Sequence, residues 1–296
     1  MRVLLSGSSG LIGTALRESL GDRSVVRLVR SRSTGTDVSW DPLAGTIDRE
    51  RLEGLDAAVH LAGESIASGR WTARRKAMIR DSRVQGTATL SEALASLSRP
   101  PRVLVSASAI GFYGDRGEEI LRESSGPGDG YLASACAQWE GATDPAERRG
   151  IRVVHLRLGI VLSTRGGALA KMLLPFRMGM GGVVGSGRQY MSWIALEDVV
   201  GIIRHALEKE DLKGPVNGVS PAPVTNREFT KTLGRVLGRP TIAPLPAVMA
   251  RLLMGEMADA LLLSSARVEP AALKASGYAY RFSQLEAALR AILSPL

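Results

Sequence analysis

A glycine-rich turn between an apolar segment and a helical segment is the strongest constraint on how this chain folds. The segment Arg2–Leu5 predicts a short buried strand, and Leu11–Leu20 predicts the helix that follows it. Glycines stand at every third position from the end of this strand into the start of the helix, as Gly7, Gly10 and Gly13. The first glycine permits a tight turn, the second a close approach of backbone to a ligand, and the third close packing of helix on strand. The alternative is a tight strand–helix turn that binds nothing.

The same alternation of strand and helix continues through the first two thirds of the chain. Short apolar runs are separated by helical stretches, which is typical of a parallel sheet covered on both faces. The predicted strands are Arg2–Leu5, Ser24–Val29, Ala57–Leu61, Arg102–Ser106 and Arg152–Arg157. The helices predicted among them are Leu11–Leu20, Arg74–Leu97 and Leu132–Arg149. We therefore expect an α/β protein with a Rossmann-type, doubly wound parallel sheet.

The pattern changes after Ser163, where glycines cluster and the strand–helix alternation stops. We expect a Rossmann domain over 1–165, to which 191–217 returns. The segments 166–190 and 218–296 are expected to form a smaller cap that binds substrate. Helices are predicted in the cap near 226–237, 247–253 and 283–293.

The residues of the glycine turn are candidates to bind a dinucleotide. A helix that starts at the turn offers free N–H groups and a partial positive charge to phosphates. The candidates in the turn are Gly7, Ser8, Ser9, Gly10, Leu11, Ile12 and Gly13. An NAD site usually carries an acidic residue at the end of the second strand, but this chain carries Arg30 and Arg32 there. Because guanidinium groups suit a 2′-phosphate, we predict NADP(H), with solvated loop arginines as the alternative.

Two further segments are predicted to contact the same cofactor. Small residues at the end of the third strand let backbone approach the cofactor, and the candidates there are Leu61, Ala62, Gly63 and Glu64. Trp40 and Asp41 are candidates to flank the adenine ring, or else anchor a loop. His60 is expected to be packed in the sheet rather than to act in catalysis.

Composition excludes several other kinds of site. The formal net charge of +9 is spread over scattered arginines with few aromatic residues among them, which argues against nucleic-acid binding. The single cysteine, Cys136, rules out an internal disulfide, and the three histidines are not spaced as metal ligands. No uncharged apolar run is long enough for a membrane span, so we expect a cytoplasmic protein without metal or membrane partner.

These residues together resemble a known family. His60-Leu61-Ala62-Gly63, the stretch Ser106–Gly114 and Tyr131 resemble the extended short-chain dehydrogenases/reductases. The resemblance sharpens to an atypical epimerase-family subgroup. The segments that carry it include Trp71-Thr72, Asp81-Ser82-Arg83-Val84, Trp139-Glu140, Gly185-Ser186-Gly187-Arg188-Gln189 and Ser192-Trp193-Ile194. It covers nearly the whole chain and implies NADP(H) binding, a substrate pocket beneath the cap and, by analogy, a possible homodimer.

The chain departs from typical relatives at one position. In those enzymes a serine, a tyrosine and a lysine act together, and the lysine holds the ribose and lowers the pKa of the tyrosine. The resemblance assigns these roles to Ser108 and Tyr131, but the lysine position is Ala135. A phenol without help titrates near pH 10, which makes it a poor base at neutral pH. Ser108 is as well explained as a hydroxyl that closes a strand end, and Tyr131 as a helix-packing residue.

A cation elsewhere in the chain is the possible replacement for the lysine. The candidates are Arg83, which is also predicted to contact the cofactor, Lys76 and Arg157. Cys136 is expected to be a buried packing residue. Trp139 and Glu140 are expected to fix their helix against the sheet.

Residues in the cap are candidates to bind substrate. Arg188 would meet an anionic substrate or else be a solvated loop residue, and Trp193 would be a pocket wall or a core anchor. Two functions stay open. One is an NADP(H)-dependent oxidoreductase or epimerase-like enzyme acting on a hydroxyl or carbonyl of a small or nucleotide-linked substrate. The other is an NADP(H)-binding regulator with little or no turnover.

Overall fold

The structure is a computed structural model that describes residues 1–21, 24–30 and 35–294. Its strands are β1 Val3–Ser6, β2 Val25–Val29, β3 Val38–Asp41, β4 Thr46–Ile47, β5 Ala57–His60, β6 Val103–Ala109, β7 Ile120–Leu121, β8 Arg152–Leu158, β9 Ile160–Leu162, β10 Tyr190–Met191, β11 Trp193–Ala195, β12 Gly214–Gly218, β13 Val224–Thr225 and β14 Arg267–Val268. Its helices are α1 Leu11–Leu20, α2 Ala73–Ala95, α3 Tyr131–Gly141, α4 Asp144–Arg148, α5 Gly167–Arg177, α6 Leu196–Glu208, α7 Asn226–Leu237, α8 Ala247–Met254, α9 Glu256–Ala258, α10 Ala271–Ala275 and α11 Leu285–Leu293.

Eight strands form the central sheet in the order β12-β8-β6-β5-β1-β2-β3-β4. All neighbours run parallel except β4, which is antiparallel to β3. The order reverses direction beside β1, between β5 and β2, and this is where open α/β sheets bind ligands. The predicted Rossmann-type α/β fold is confirmed.

Two apolar layers cover the sheet because its strands are buried on both faces. On one face, Leu5 and Val105 pack with Leu16 of α1 and Ile203 of α6. On the other face, the strands pack against Leu94 of α2 and against Ala146. Burial on both faces explains why the strands are continuous apolar runs instead of alternating ones.

The structure differs from the predicted elements in two places. The helix predicted over Leu132–Arg149 is two helices, α3 and α4. They separate at Thr143, which is fully buried and whose hydroxyl donates to the carbonyl of Glu140. Pro145 in the first turn of α4 starts the new helix, since proline is tolerated only there. The β3–β4 hairpin was not predicted, because its strands have only four and two residues.

The segment after β12 builds a second apolar cluster beside the sheet. Phe229 of α7 and Leu289 of α11 pack with Trp193 and with Leu169 of α5. The segment also returns to the Rossmann part, because β14 pairs with β7 and Leu273 lies in the core on the α1 side of the sheet. The predicted division into domain and cap stays a prediction. In the described ranges, no helix combines the length and apolar character that crossing a bilayer requires.

Candidate functional site

The glycine turn has the shape of a backbone cradle. Gly7 has a positive φ of 66°, and a Cβ there would lie 2.8 Å from the carbonyl carbon of Leu61. A Cβ at Gly13 would overlap the carbonyl oxygen of Gly7, so α1 packs directly on the turn. No side chain caps the start of α1 at Gly10. The first N–H groups of α1 are therefore free to bind an anion.

The end of β5 is fastened to the turn by Ser6. The Ser6 hydroxyl accepts hydrogen bonds from the backbone N–H groups of Leu61 (3.0 Å) and Ala62 (3.1 Å). It also lies 2.7 Å from Nδ1 of His60. These bonds hold the start of the predicted cofactor segment Leu61–Glu64 beside the glycine turn, and its contact with a cofactor stays a prediction.

His60 is fully buried, as expected, at the C-terminal end of β5. Burial lowers the pKa of its imidazole to about 4. Since Ser6 already accepts two hydrogen bonds, its own proton points to Nδ1, which places the imidazole proton on Nε2. Among the described residues Nε2 has no partner, and the ring meets that of Trp40 edge-on at 5.9 Å between centroids. His60 is therefore a neutral structural residue.

Arg30 stands exposed directly after β2, on the other side of β1 from β5. It borders a cavity of about 330 Å³ that is also lined by Ser39, Trp40 and Asp41. The Trp40 ring is mostly buried against Gly86, and the Asp41 carboxylate accepts from the N–H groups of the following turn. Arg32 lies outside the described residues.

Arg83 of α2 lies against the backbone that follows β5. Its guanidinium carbon would be 3.2 Å from a Cβ at Gly63, so the guanidinium packs closely on this backbone. On another side it lies 5.0 Å from the ring centroid of Trp139. One terminal nitrogen donates to the carbonyls of Glu64 (2.9 Å) and Ile79 (3.0 Å). Burial lowers the pKa of the guanidinium, which marks it as a desolvated cation.

Tyr131 is the first residue of α3 and packs on the start of α2. Its phenol donates a 2.7 Å hydrogen bond to the carbonyl of Lys76, and its ring meets that of Trp71 edge-on at 5.3 Å. Burial raises the pKa of Tyr131, and the charge of Arg83 opposes that rise. At neutral pH the phenol is protonated and can donate a proton more readily than accept one.

Ser108 is held at the opposite end of α3. Its hydroxyl donates a 2.6 Å hydrogen bond to Glu140, nine residues after Tyr131. Nine residues span about 13 Å at a rise of 1.5 Å per residue. In the structure each hydroxyl has its own partner, Glu140 for Ser108 and the carbonyl of Lys76 for Tyr131, and their joint role stays a prediction.

Glu140 is the centre of a buried network that the sequence did not reveal. Arg157 on β8 binds both carboxylate oxygens of Glu140, each at 2.8 Å, and donates to the Tyr113 hydroxyl at 3.0 Å. Tyr113 donates in turn to Asn217 on β12 at 2.7 Å. Glu140 therefore fastens α3 to the sheet, as expected. The signal available in the sequence was a pair of opposite charges, Glu140 in a predicted helix and Arg157 at the end of a predicted strand.

The two predicted substrate residues of the cap lie in different surroundings. The Arg188 side chain is 81% exposed and pairs with Glu118 at 3.4 Å. Trp193 has no exposed surface, and its indole N–H donates to the carbonyl of Ala222. In this structure Trp193 is a core residue and Arg188 a surface one, and neither contacts Tyr131. Their predicted contact with substrate remains untested.

Other kinds of site find no support in the described ranges. No group of three or more histidine, cysteine or acidic residues is placed to hold a metal there. Cys136 is buried, and burial raises the pKa of its thiol to about 12, so it is not a reactive thiolate. A cavity of about 460 Å³ lies between α1, α6 and Tyr278, away from the glycine turn.

Comparison with known proteins gives consistent relatives. Residues 3–217 match the NAD dependent epimerase/dehydratase family, and 245–292 match a domain family of unknown function. An epimerase family protein of Mycobacterium bovis is 43% identical over 290 residues, covering 97% of this chain and 96% of its own. Human epimerase family protein SDR39U1 is 38% identical over 299 residues, covering 99% of this chain and all of its own.

Solved structures agree with these sequence relatives. The crystal structure of human SDR39U1 with NADPH superposes with a TM-score of 0.88, at 37% identity over 99% of both chains. A UDP-glucose 4-epimerase from Thermotoga maritima, with a TM-score of 0.74 and 18% identity, shows the shared fold alone. The resemblance to the extended short-chain dehydrogenases/reductases is confirmed, and the chain belongs to the NAD dependent epimerase/dehydratase family.

Proposed function

We propose that this protein binds NADP(H) and uses it in an oxidoreductase or epimerase-type reaction at a hydroxyl or carbonyl group of a small or nucleotide-linked substrate. The observation that carries the proposal is the uncapped start of α1 in the glycine turn, pressed against the end of β5. The human relative crystallised with NADPH, 37% identical over 99% of this chain, supports the choice of cofactor.

The residues of the cradle fit a dinucleotide. The N–H groups at the start of α1 would bind the diphosphate, because no side chain in the described part of the chain caps that end of the helix. Arg30, exposed beside the cavity at the ends of β2 and β3, would bind the 2′-phosphate with charge-assisted hydrogen bonds. The backbone of Leu61–Gly63 would run along the bound cofactor towards Arg83.

NADP(H) supplies or accepts a hydride when it is bound, and the protein must move the matching proton. Tyr131 is the candidate for this step because its phenol lies at the start of α3, within electrostatic reach of Arg83. The raised pKa keeps the phenol protonated, which favours donation of a proton to a substrate carbonyl. To do so, Tyr131 must exchange its hydrogen bond with the carbonyl of Lys76 for one with the substrate.

One observation favours the second candidate, a regulator that binds NADP(H) with little turnover. Both hydroxyls that the family pattern assigns to catalysis already donate within the protein, Tyr131 to Lys76 and Ser108 to Glu140. A protein that only reports cofactor binding would need neither hydroxyl free.

Calorimetry with NADPH and NADH, followed by a carbonyl and alcohol panel, tests the proposal. We expect NADPH to bind more tightly than NADH, and Arg30→Ala to reduce that preference. Loss of turnover in Tyr131→Phe with unchanged NADPH affinity would support the enzyme. NADPH binding without turnover in either protein would favour the regulator, and a folded protein that binds neither nucleotide would disprove both.

A further inference from the structure

The missing lysine leaves open which cation, if any, stands near Tyr131 in its place. Three cations are candidates, and two of them have carboxylate partners in the structure. Lys76 pairs with Glu256 at 2.8 Å, and its ammonium lies over the Tyr131 ring, 5.5 Å from the centroid. Arg157 is committed to both oxygens of Glu140 at the far end of α3.

Arg83 differs from both because it makes no ion pair within the described part of the chain. Its nearest carboxylate, Glu64, pairs instead with Arg75 at 3.2 Å. One terminal nitrogen of Arg83 donates to two neutral backbone carbonyls, those of Glu64 and Ile79. A desolvated cation without a counter-ion is costly, and such groups are retained where they meet an anion or a developing charge.

The position of Arg83 is fixed rather than adjustable. The guanidinium lies against the backbone of Gly63 on one side and the indole of Trp139 on another. Trp139 is itself held by a 2.9 Å hydrogen bond to Thr87. The strand order β6-β5-β1-β2 places Gly63, after β5, on the opposite side of the glycine turn from Arg30, after β2. Arg83 therefore stands at the end of the cradle away from the 2′-phosphate candidate.

We propose that Arg83, projecting from α2, performs the electrostatic role of the lysine that is absent from α3 at Ala135. It holds the nicotinamide-ribose half of the cofactor and stabilises negative charge on the Tyr131 oxygen. This inference rests on the proposed NADP(H) binding and names the positioning residue for that site.

Several groups face the Tyr131 side chain and set its titration. Arg83 and Arg80 lower the pKa of the phenol, whereas burial, Asp81 and Cys136 raise it. The hydrogen bond to the carbonyl of Lys76 also favours the protonated phenol. Arg80 is exposed and paired with Asp81 at 2.7 Å, so water screens its charge. Arg83 is the more buried of the two cations, so water screens its charge less.

The test compares Arg83→Met with Arg83→Lys, and with Arg80→Met as the matched control on the same helix. Each full-length protein is titrated with NADPH and with 2′,5′-ADP, which has the adenosine 2′-phosphate end but no nicotinamide riboside. Thermal melts establish that each variant is folded. The Tyr131 phenol is followed by NMR of ¹³Cζ-labelled tyrosine, assigned with Tyr131→Phe.

Arg83→Met should weaken NADPH binding about tenfold and leave 2′,5′-ADP binding within about twofold. It should also raise the pKa of Tyr131 by about one unit. Arg83→Lys should restore part of the NADPH affinity and part of the Tyr131 pKa. Arg80→Met should have a smaller effect than Arg83→Met on both quantities. Equal loss of both ligands, no loss of either, or an equal effect of Arg80→Met would overturn the inference. If wild-type protein binds no NADPH, the proposed function fails instead, and the Tyr131 titration still tests the electrostatic role.

Discussion

At the scale of single residues, the buried imidazole of His60 makes the stability of the folded protein depend on pH. Burial depresses its pKa from an ordinary 6.5 to about 4 in the folded protein. Between these values the unfolded chain binds a proton that the folded protein does not. Stability contributed by the neutral ring is therefore complete above pH 6.5 and is lost as pH falls towards 4. The full difference corresponds to about 3 kcal/mol.

We predict that urea unfolding of the wild-type protein will show this loss between pH 7.5 and pH 4. His60→Gln should be less stable at pH 7.5 but lose the part of the pH dependence that belongs to the imidazole. His205→Gln serves as the control, because His205 is only half-buried beside Tyr278. A His60→Gln protein with the wild-type pH slope would show that His60 is not the source.

Gly13 gives a second prediction at this scale, because its hydrogen is the only side chain that fits. A Cβ there would overlap the Gly7 carbonyl oxygen and come within 2.9 Å of the Ser8 Cα. Gly13→Ala should cost about 1–3 kcal/mol of unfolding free energy and weaken NADPH binding, since the turn must shift.

Gly141 is the matched control, being a helical glycine of α3 with nothing within 4 Å of its Cβ position. Gly141→Ala should stabilise the protein by about 0.5–1 kcal/mol. Chemical unfolding and calorimetry of both variants measure the difference. If the two glycines tolerated alanine equally, the packing account of the turn would be refuted.

The sequence predicted these residue positions where local backbone geometry alone decides. The glycine spacing predicted a tight turn at Gly7, Gly10 and Gly13, and His60 at a strand end was expected to pack in the sheet. The partners of Tyr131 and Ser108 could not be predicted in the same way. Their hydrogen bonds go to Lys76 and Glu140, and the distance to each depends on how α2 and α3 pack.

At the scale of secondary-structure elements, one ion pair joins α3 to the sheet. The Glu140 and Arg157 side chains are 11% and 5% exposed, and Arg157 also lies 3.5 Å from the Phe112 ring centroid. Removing one charge would leave the other buried and unpaired. Glu140→Gln should therefore cost about 3–5 kcal/mol of unfolding free energy.

The Glu18–Arg165 pair is the control, because its side chains are 59% and 52% exposed. Glu18→Gln should cost less than about 1 kcal/mol. Urea unfolding of the two variants at pH 7.5 makes the comparison. Similar losses in both would mean that α3 is held by apolar packing rather than by this pair.

Secondary-structure elements could be predicted where a periodic apolar pattern ends at a clear stop signal. They were harder to predict where tertiary contacts decide the ends of an element. Helix α1 agrees with its predicted bounds because it begins after glycine and ends at Gly21. The break between α3 and α4 was missed although the sequence carries a signal for it, Pro145 in the first turn of the new helix. That break is maintained by Ser91 of α2, whose hydroxyl donates to the carbonyl of Thr143 and accepts from the N–H of Ala146.

At the scale of the whole molecule, the segment 247–263 closes over the start of α2 with little packing of its own. In α8 only Ala250 is buried, whereas Val248, Leu252 and Leu253 are more than 60% exposed. The segment rests on Met257, which packs against Trp71, and its Glu256 pairs with Lys76. We infer that it opens more readily than the rest of the chain.

Hydrogen exchange measured by mass spectrometry should show 247–263 exchanging faster than α7, which has a capping box and packs through Phe229. Glu256→Gln removes the ion pair to α2 and should speed exchange of 247–263 by about two- to fivefold, the effect of less than 1 kcal/mol. Glu286→Gln breaks a comparable surface pair with Arg235, but α11 is fixed by Leu285 and Leu289, so exchange in 247–263 should not change.

Because Tyr131 donates to the carbonyl of Lys76, NADPH binding that reorganises this region should alter exchange in 247–263 as well. A segment that exchanges as slowly as α7 in every variant would show that 247–263 does not open more readily than the rest of the chain.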